Sequence, residues 1–476
     1  MAAPAEHPMA ETDNGLLSLY EKQVKIYPRA VSGWFAGWRW AMVWLTQLVY
    51  YGMPWLSWNG RQAVLFDLDQ RQFFVFGLVF HPQDFIYLAA LLVISALALF
   101  FFTAVAGRLW CGYACPQTVY TEIFLWIERR LEGDRVARIR LDAAPWGPAK
   151  ILRKGGKHAA WGLFSMATGF TFVGYFVPIH DLARAGMALA WSPWEWFWIV
   201  FYGLATYGNA GFLREQMCKY MCPYARFQSA LIDADSLIIT YDQRRGEPRG
   251  GRARTADPKA LGLGDCVDCS LCVQVCPTGI DIRKGLQNEC IGCAACIDAC
   301  DGVMDRLGYS RGLIRYDTEN GVARGLSRGQ RLRRVFRPRV LIYGALLTAL
   351  VVAFGTTLGL RSGLKVDVIK DRNTLARIVD DGYVENVYRL HIFNGSELPR
   401  RVRLQVSGID GLSFGTPQDV HVPATGMEAV PVRLRLSPEA AQALRGRSNP
   451  IVFQIRDADG PEGASVNEKS AFYVPR

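Results

Sequence analysis

The sequence predicts a multi-domain integral membrane protein, with an α-helical membrane domain of five spans, a small cysteine-rich insert and a C-terminal immunoglobulin-like β-sandwich. Three observations predict this fold class. Hydrophobic residues make up 50% of the 476 residues, and they are concentrated in a few long runs. All twelve cysteines lie between positions 111 and 300. Beyond the last apolar run the chain alternates between apolar and polar residues in short segments. A chain of this length and composition is expected to form several domains.

Five apolar runs are long enough to cross a bilayer, which requires about 20 residues. They lie near 34–54, 85–106, 158–179, 194–213 and 340–360. The predicted segments are a cytosolic tail at 1–33, a four-span membrane domain at 34–241, a linker at 242–262, a cytosolic cysteine-rich domain at 263–339, a fifth transmembrane helix at 340–361 and a β domain at 362–476. The linker is predicted from its content of Gly, Arg and Pro, which gives no apolar period.

The basic residues predict the orientation of these spans. Ten Lys and Arg lie in the loop between the second and third runs, whereas the short loops on the other side contain only Arg61, Arg71 and Arg184. Because positive charge is retained on the cytoplasmic side, 107–157 and 214–339 are predicted to be cytoplasmic and the β domain to face the opposite side. The polar start has no signal-peptide pattern, so the N-terminus is expected to stay cytosolic. The net charge of +11 is therefore attributed to topology and not to nucleic-acid binding.

Eight cysteines of the insert follow a spacing with one dominant chemical meaning. The pattern Cys-x2-Cys-x2-Cys-x3-Cys occurs twice between 266 and 300, and Pro277 follows the first copy while Asp301 follows the second. In two-cluster ferredoxins the fourth cysteine of each run binds the other cluster. The predicted [4Fe–4S] ligands are Cys266, Cys269, Cys272 and Cys300 for one cluster, and Cys290, Cys293, Cys296 and Cys276 for the other. Structural zinc and disulfides fit this spacing less well. Asp301 stands where the second copy would normally carry Pro, so the sequence does not predict the conformation of the turn after Cys300.

The other four cysteines form a duplicated motif. Cys111 with Cys115, and Cys218 with Cys222, both occur as Cys-x-Tyr-x-Cys-Pro at an offset of 107 residues, after the second span of a two-span hairpin. Repeated membrane units commonly build a site at their interface, and residues four apart share one helical face. We therefore predict that these four thiols converge at the cytoplasmic membrane face as a catalytic, metal-binding site. Thiolates suit Cu(I), and four of them equally suit a third iron–sulfur cluster.

Other polar residues near the predicted spans are interpreted as structural. Glu122 and Glu128 follow the first cysteine pair on a predicted amphipathic helix, where a solvated position at the membrane surface is expected. His81, His158 and His180 lie at the ends of the runs or in a loop, so no two of them are placed as axial ligands of a buried haem.

Short alternating segments after the fifth run predict the β-sandwich. The expected strands lie at 365–369, 383–393, 401–406, 429–436 and 451–455, with turns at Asn394-Gly395 and Asp459-Gly460. Segments of this length and spacing are typical of immunoglobulin-like domains. No catalytic constellation occurs in this region.

The whole pattern resembles the cytochrome c oxidase accessory proteins called CcoG, FixG or RdxA. The resemblance covers nearly the whole chain, and its sharpest motifs are the segments 109–116, 214–228 and 244–249. It implies a bacterial inner-membrane cupric reductase that supports assembly of cbb3-type cytochrome oxidase. The implied partners are membrane lipid, the copper ion, a cytosolic electron donor that the sequence does not identify, and copper transporters or oxidase assembly factors.

Two other functions fit the same residues. The chain could be an electron conduit that exchanges with quinone, as similar polyferredoxin membrane proteins do, or a copper chaperone or assembly scaffold without turnover. Inhibitor-sensitive quinol oxidation would favour the conduit. Oxidase assembly by cluster-free protein would favour the scaffold.

Overall fold

A computed structural model describes residues 25–253, 257–258, 260–361, 363–371, 375–458 and 465–476. Six helices begin at a proline, whose fixed backbone angle and missing N–H suit the first helical position. The helices are α1 (Trp34–Gly52), α2 (Phe85–Ala106), α3 (Leu109–Tyr113), α4 (Pro116–Glu132), α5 (Arg135–Ala143), α6 (Pro148–Val173), α7 (Ile179–Met187), α8 (Pro193–Gly208), α9 (Arg214–Gln216), α10 (Pro223–Leu231), α11 (Gln243–Gly246), α12 (Leu271–Gln274), α13 (Ala295–Leu307), α14 (Glu319–Arg324), α15 (Arg328–Val335), α16 (Pro338–Gly359) and α17 (Pro438–Ala443).

The strands lie in a small N-terminal group, one central pair and a C-terminal domain. They are β1 (Ser57–Trp58), β2 (Arg61–Gln62), β3 (Val64–Asp67), β4 (Gln72–Val75), β5 (Leu78–Phe80), β6 (Ile238–Tyr241), β7 (Ile314–Asp317), β8 (Leu364–Lys370), β9 (Arg377–Ile378), β10 (Val384–Asn394), β11 (Arg400–Ser407), β12 (Leu412–Phe414), β13 (Asp419–Val422), β14 (Met427–Leu436), β15 (Ser448–Asp457) and β16 (Ser465–Tyr473).

All five predicted apolar runs contain helix, but they differ in their ability to span a membrane. Among the described residues two helices are long and apolar enough by length and composition, Pro82–Ala106 and Pro338–Gly359. The first run includes Arg39, the helix of the third run begins in the basic segment before it, and the fourth run changes from α8 to a π-helical turn at Asn209–Leu213. The helices therefore support membrane association, and a five-span topology is not shown.

The chain divides into two compact units, each described separately. The first contains Met1–Thr46, Ala98–Ala167 and Phe201–Tyr343, and the second contains Gln47–Leu97, Thr168–Val200 and Gly344–Arg476. All twelve cysteines belong to the first unit.

The second unit contains the C-terminal domain, in which two antiparallel sheets enclose an apolar core. One sheet has the order β12-β14-β10-β8 with β9 added to β10, and the other has the order β13-β11-β15-β16. Alternate residues point inward, so that Leu390, Leu434 and Phe453 have no exposed surface. The predicted strands are present, and β9, β12, β13 and β16 are additional. Asn394 ends β10 and Gly395 follows it, whereas the Asp459-Gly460 turn lies outside the described residues.

In the first unit the predicted linker is hydrogen-bonded along its described part. β6 pairs with β7, from Ile238 opposite Asp317 to Tyr241 opposite Ile314. Arg245 forms an ion pair with Asp265, and Arg252 donates to the carbonyl oxygens of Gly264 and Asp265. These ion pairs and hydrogen bonds hold a segment that has no apolar periodicity against residues 264 and 265. The segment 242–252 is therefore part of the cysteine-rich domain.

Candidate metal centres

Four thiols of the first predicted ligand set line one cavity. Cys266, Cys269, Cys272 and Cys300 surround it together with apolar side chains that include Val303 and Leu313. Cys269 is exposed, whereas Cys266 and Cys272 are buried. We call this group the outer site, because one of its thiols reaches the surface.

The second predicted ligand set lines a neighbouring cavity, which we call the inner site. Its thiols are Cys276, Cys290, Cys293 and Cys296, and isoleucines 239, 280, 282 and 291 form much of its wall. None of these four thiols is exposed. Cys272 lines both cavities, so the two sites are adjacent. The structure thus groups the eight cysteines in the crossed manner that the spacing predicts.

Left-handed backbone positions explain how each run curls around its cavity. Asp268 and Ser270 in the first run have φ of 52° and 53°, and Gly292 and Ala294 in the second have φ of 70° and 59°. Non-glycine residues rarely adopt these angles unless the surroundings hold them. The angles recur at an offset of 24 residues, which also relates the two cysteine runs. Both runs therefore share one loop conformation.

The donor sets fit [4Fe–4S] clusters better than single metal ions. Each cavity offers four thiols and an apolar wall, which are the ligands and surroundings of a cubane cluster. In the described part of the chain, no three His, Cys, Asp or Glu side chains lie close enough to hold one metal ion. A cubane carries its thiolates on four separate irons and so needs a wider spacing.

Burial controls the protonation of these thiols. It raises the pKa of Cys272 to about 11 and the pKa of Cys290 and Cys300 to about 12. Iron binds the thiolate, so cluster binding must release protons from these side chains.

The helix that carries Cys296 and Cys300 also fixes the start of α1. Asp298 accepts hydrogen bonds from the backbone N–H groups of Phe35 at 3.2 Å and Ala36 at 2.7 Å. A carboxylate at a helix N-terminus is favourable because it satisfies N–H groups that lack helical partners. At Asp301 the structure answers the open question about the turn, because α13 continues to Leu307 and Asp301 instead accepts from Gly312 N at 2.9 Å.

The two Cys-x-Tyr-x-Cys-Pro motifs end in the same local conformation, although the first begins in the α-helix α3 and the second in a π-helical turn at Met217–Met221. Cys115 N donates to Trp110 O at 3.0 Å, and Cys222 N donates to Met217 O at 2.8 Å. Both cysteines are extended and stand immediately before a helix that begins with Pro, α4 or α10. The expectation that each pair lies on one helical face is therefore wrong, because the chain leaves the helical conformation before Cys115 and Cys222.

The four motif cysteines nevertheless come together, and we call them the four-thiol group. Burial raises the pKa of Cys111 to about 11 and of Cys218 to about 12, with smaller contributions from neighbouring thiols of the group. The fully buried amide of Gln228 contacts Cys111 Sγ, with Nε2 at 3.3 Å. Sequence reasoning missed Gln228, although it lies six residues after Cys222 within the quoted motif.

The four-thiol group packs against the inner site through glycines. A Cβ atom on Gly112 would lie 2.7 Å from Gly292 O and 2.9 Å from Cys293 Cα, so only glycine fits there. Arg108 donates to the carbonyl oxygens of Asn288 and Cys290 at the same place. Cys111 and Cys218 also pack against the apolar cluster of Val275, Ile291, Cys293 and Ala295.

The predicted solvated helix after the first motif is instead buried on one side. Glu128 accepts from Arg138 at 2.8 Å and from Arg214 at 2.7 Å, and its side chain is 4% exposed. Burial raises the pKa of Glu128, but the two guanidinium groups outweigh it and hold the pKa below its ordinary value. Glu122 is also largely buried, between Arg39 and Arg129. The amphipathic pattern failed here because paired charges can be buried.

Three family models match the chain. Residues 213–319 match a 4Fe-4S dicluster domain, 88–133 match a 4Fe-4S binding domain, and 354–475 match the Ig-like fold at the C-terminus of FixG. The dicluster match covers all eight ferredoxin-type cysteines, so the chain carries two [4Fe–4S] clusters. The match at 88–133 contains Cys111 and Cys115 and none of those eight.

Curated relatives align over most of the chain. Protein RdxA of Cereibacter sphaeroides is 40% identical over 474 residues, covering 96% of this chain and 99% of its own. The nitrogen fixation protein FixG of Rhizobium meliloti is 42% identical over 424 residues, covering 82% and 80%. A crystal structure of a FixG-related protein from Vibrio parahaemolyticus aligns with 24% of this chain and 97% of its own, at 24% identity and a TM-score of 0.21. With its cluster-binding domains and C-terminal Ig-like domain, the chain belongs to the FixG/RdxA/CcoG family and is a membrane-associated iron–sulfur electron-transfer protein.

Proposed function

We propose that this chain is a multi-pass inner-membrane cupric reductase. Electrons enter at the outer site, pass to the inner site and reach the four-thiol group, where one electron converts Cu(II) to Cu(I). The product would support assembly of a cbb3-type oxidase, as the family resemblance implies. The electrons come from a cytosolic donor that the sequence does not identify.

The contact between Gly112 and Gly292 carries this proposal. It brings the backbone of the first Cys-x-Tyr-x-Cys-Pro motif against the Cys293 loop of the inner site, with no side chain between them. Cys272 similarly lies between the outer and inner sites, and Cys269 opens the outer site to solvent. This order supports a route from the surface to the four-thiol group.

Each ligand set has a chemical role in this route. When bound, the two [4Fe–4S] clusters supply one-electron carriers. No three His, Cys, Asp or Glu side chains of the described residues lie close enough to hold one ion, so two thiols of the four-thiol group would hold copper. These two thiols would lose their protons as copper binds, and the soft thiolates would hold Cu(I) instead of releasing it. Gln228 orients Cys111 by its amide contact.

The proposed membrane arrangement has five spans, a cytosolic N-terminus and a periplasmic β domain. The support is the excess of basic residues at 107–157 and the exposure of the long apolar helices α2 and α16, whose most apolar stretches have almost no buried residues. A cysteine introduced at the exposed Ser413 should react with a reagent that cannot cross the inner membrane, in intact cells whose outer membrane has been made permeable. Labelling only after lysis would overturn this topology.

The copper site is tested by Cys115→Ser and Cys222→Ser. Both variants should abolish cupric reductase activity while the EPR signals of the two clusters remain. Full activity in both variants would reject the site. Quinol oxidation or oxidase assembly that survives loss of copper reduction would favour the conduit or scaffold function.

A third iron–sulfur cluster at the four-thiol group is the second candidate. It is favoured by the 4Fe-4S family match that contains only Cys111 and Cys115. In that case Cys115→Ser should remove a third iron–sulfur signal and lower the iron content, and copper would be reduced elsewhere.

The crossed ligand sets have their own test. Cys276→Ser should damage the inner cluster, whose other ligands are Cys290, Cys293 and Cys296, and Cys300→Ser should damage the outer one. Spectra in which each substitution damages the cluster of its own sequence run would reject the crossed arrangement.

The glycine contact can be tested without changing any ligand. Gly112→Ala must separate the motif from Gly292 and should slow copper reduction while both clusters remain. Gly155→Ala is the matched control, because a Cβ at Gly155 meets nothing within 4 Å. Equal activity of the two variants would exclude electron transfer across this contact.

A further inference from the structure

A third cavity, lined partly by charged side chains, lies between the inner site and the four-thiol group. Cys293 and Cys218 both line it, so it touches one thiol of each group. Its charged lining side chains are Arg39, Arg214, Glu122 and Glu215. Nothing in the proposed electron route uses these groups.

Arg39 reaches this cavity from α1 in a fixed orientation. The helix begins at Trp34, and Asp298 holds the N–H groups of Phe35 and Ala36. A Cβ on Gly33 would lie 2.4 Å from the Asp298 carboxylate, so glycine permits this close approach. Arg39 is one helical turn beyond Phe35, and its position is therefore tied to the helix that carries Cys296 and Cys300.

The charge of Arg39 is buried and only loosely neutralised. The residue is 8% exposed, and its Nε has no hydrogen-bond partner. Its carboxylate neighbour Glu122 lies 3.7 Å from Nη1 and is shared with Arg129, also at 3.7 Å. Arg214, on the same cavity, is committed to Glu128 at 2.7 Å. Glu215 also lines this cavity and Asp298 also acts on Arg39, so the positive charge beside Cys293 is partly offset, although among the described residues only Glu122 forms an ion pair with Arg39.

A buried positive charge changes the reduction potential of a neighbouring iron–sulfur cluster. An added electron makes a thiolate-bound cluster more negative, and a nearby buried cation stabilises the more negative state. Net charge and burial are among the factors that set iron–sulfur potentials.

We propose that the charge of Arg39 raises the reduction potential of the inner cluster. It thereby sets the driving force of the electron step toward the four-thiol group. The proposal rests on the inner ligand set of the proposed function, and it does not depend on copper.

The test is an EPR-monitored redox titration of the full-length protein without copper. At a fixed solution potential, Arg39→Gln should lower the reduced-to-oxidised ratio of the inner cluster at least tenfold. This change corresponds to a fall of about 59 mV in its reduction potential for one electron. Arg39→Lys should keep most of the wild-type potential. Glu122→Gln should shift the potential in the opposite direction, because it removes the negative charge.

Arg129→Gln is the matched control. Arg129 shares Glu122 but does not line the cavity, so its removal should change the inner potential less than Arg39→Gln does. An unchanged potential in Arg39→Gln with full iron content would overturn the proposal. If Arg39→Gln does not retain its clusters, Glu122→Gln decides, and an unchanged or lowered potential there rejects the role. A shifted potential with unaltered copper reduction would instead support Arg39 and count against the proposed copper step.

Discussion

The C-terminal β domain and the cysteine-rich domain are stabilised in different ways. In the β domain the pairing of β10 with β14 extends over ten residues. The enclosed side chains of Leu390, Leu434 and Phe453 have no exposed surface. In the cysteine-rich domain the apolar core includes Cys266 and Cys272, and the cysteines lie largely on loops with left-handed residues. Backbone ladders and apolar burial hold the first domain, whereas the second depends on bonds from its thiols to iron.

Iron removal should produce the largest difference in hydrogen-exchange protection between the two domains. Anaerobic treatment with chelator and reductant should make amides at 266–307 exchange at nearly the rate of an unfolded chain, because the loops lose their metal bonds. Amides of β10, β14 and β15 should keep their protection. Hydrogen exchange measured by mass spectrometry on the full chain provides both readouts, and retained protection at 266–307 would contradict the comparison.

Each unit also contains a buried glutamate between two arginines, and the second comparison concerns their partners. Arg138 and Arg214 have side chains 3% and 12% exposed beside Glu128, whereas Arg377 and Arg435 are 47% and 42% exposed beside Glu385. Glu128→Gln should therefore cost about 3–5 kcal/mol of local stability. Glu385→Gln should cost about 1–3 kcal/mol, because its arginines can turn to water. Opening free energies from hydrogen exchange measure both, and equal costs would show that exposure of the arginines does not matter.

Acid should weaken both of these sites, and salt should distinguish them. Burial raises the pKa of each carboxyl, but the adjacent guanidinium groups outweigh it, so both pKa values lie below the ordinary value of about 4.3. A depressed pKa gives stability that is fully present above about pH 4.3 and is lost as the pH falls through the folded value. Raising salt to about 1 M should weaken the Glu385 site more, because exposed charges are screened. Equal salt sensitivity, measured by exchange at pH 7, would argue against this difference.

A small core change should give the smallest effect. Ile392→Val removes one methylene from a side chain without exposed surface and should lower β-domain stability by about 0.5–1.5 kcal/mol. The EPR spectra of the clusters should not change. Altered spectra would show that the β domain influences the cysteine-rich domain.

Patterns that depend on neighbouring residues were predictable from the sequence. The cysteine spacing predicted two clusters, which the family match confirms, and alternation predicted the Ig-like domain, which is also confirmed. The roles of the individual cysteines stay predictions, although the structure groups them as expected.

Contacts between distant residues could not be predicted. Nothing near Gly112 indicates that it meets Gly292, and one of the two partners of Glu128 lies 86 residues away at Arg214. Arg39 is the one charged residue in the apolar run 34–54, and its neighbours come from α4 and from the cysteine loops. The same limit explains why the predicted linker proved to be bonded to the cysteine-rich domain.

The crossed ligand sets that we propose constrain when the clusters can be inserted during synthesis. The inner set needs Cys276 and is complete only at Cys296, while the outer set waits for Cys300, so neither site is finished until the ribosome has passed nearly the whole cysteine segment. A further 176 residues then follow, which take roughly 9–35 s at about 5–20 residues per second. Cluster delivery during that interval would supply iron to a chain that is still attached to the ribosome and has not yet made its β domain.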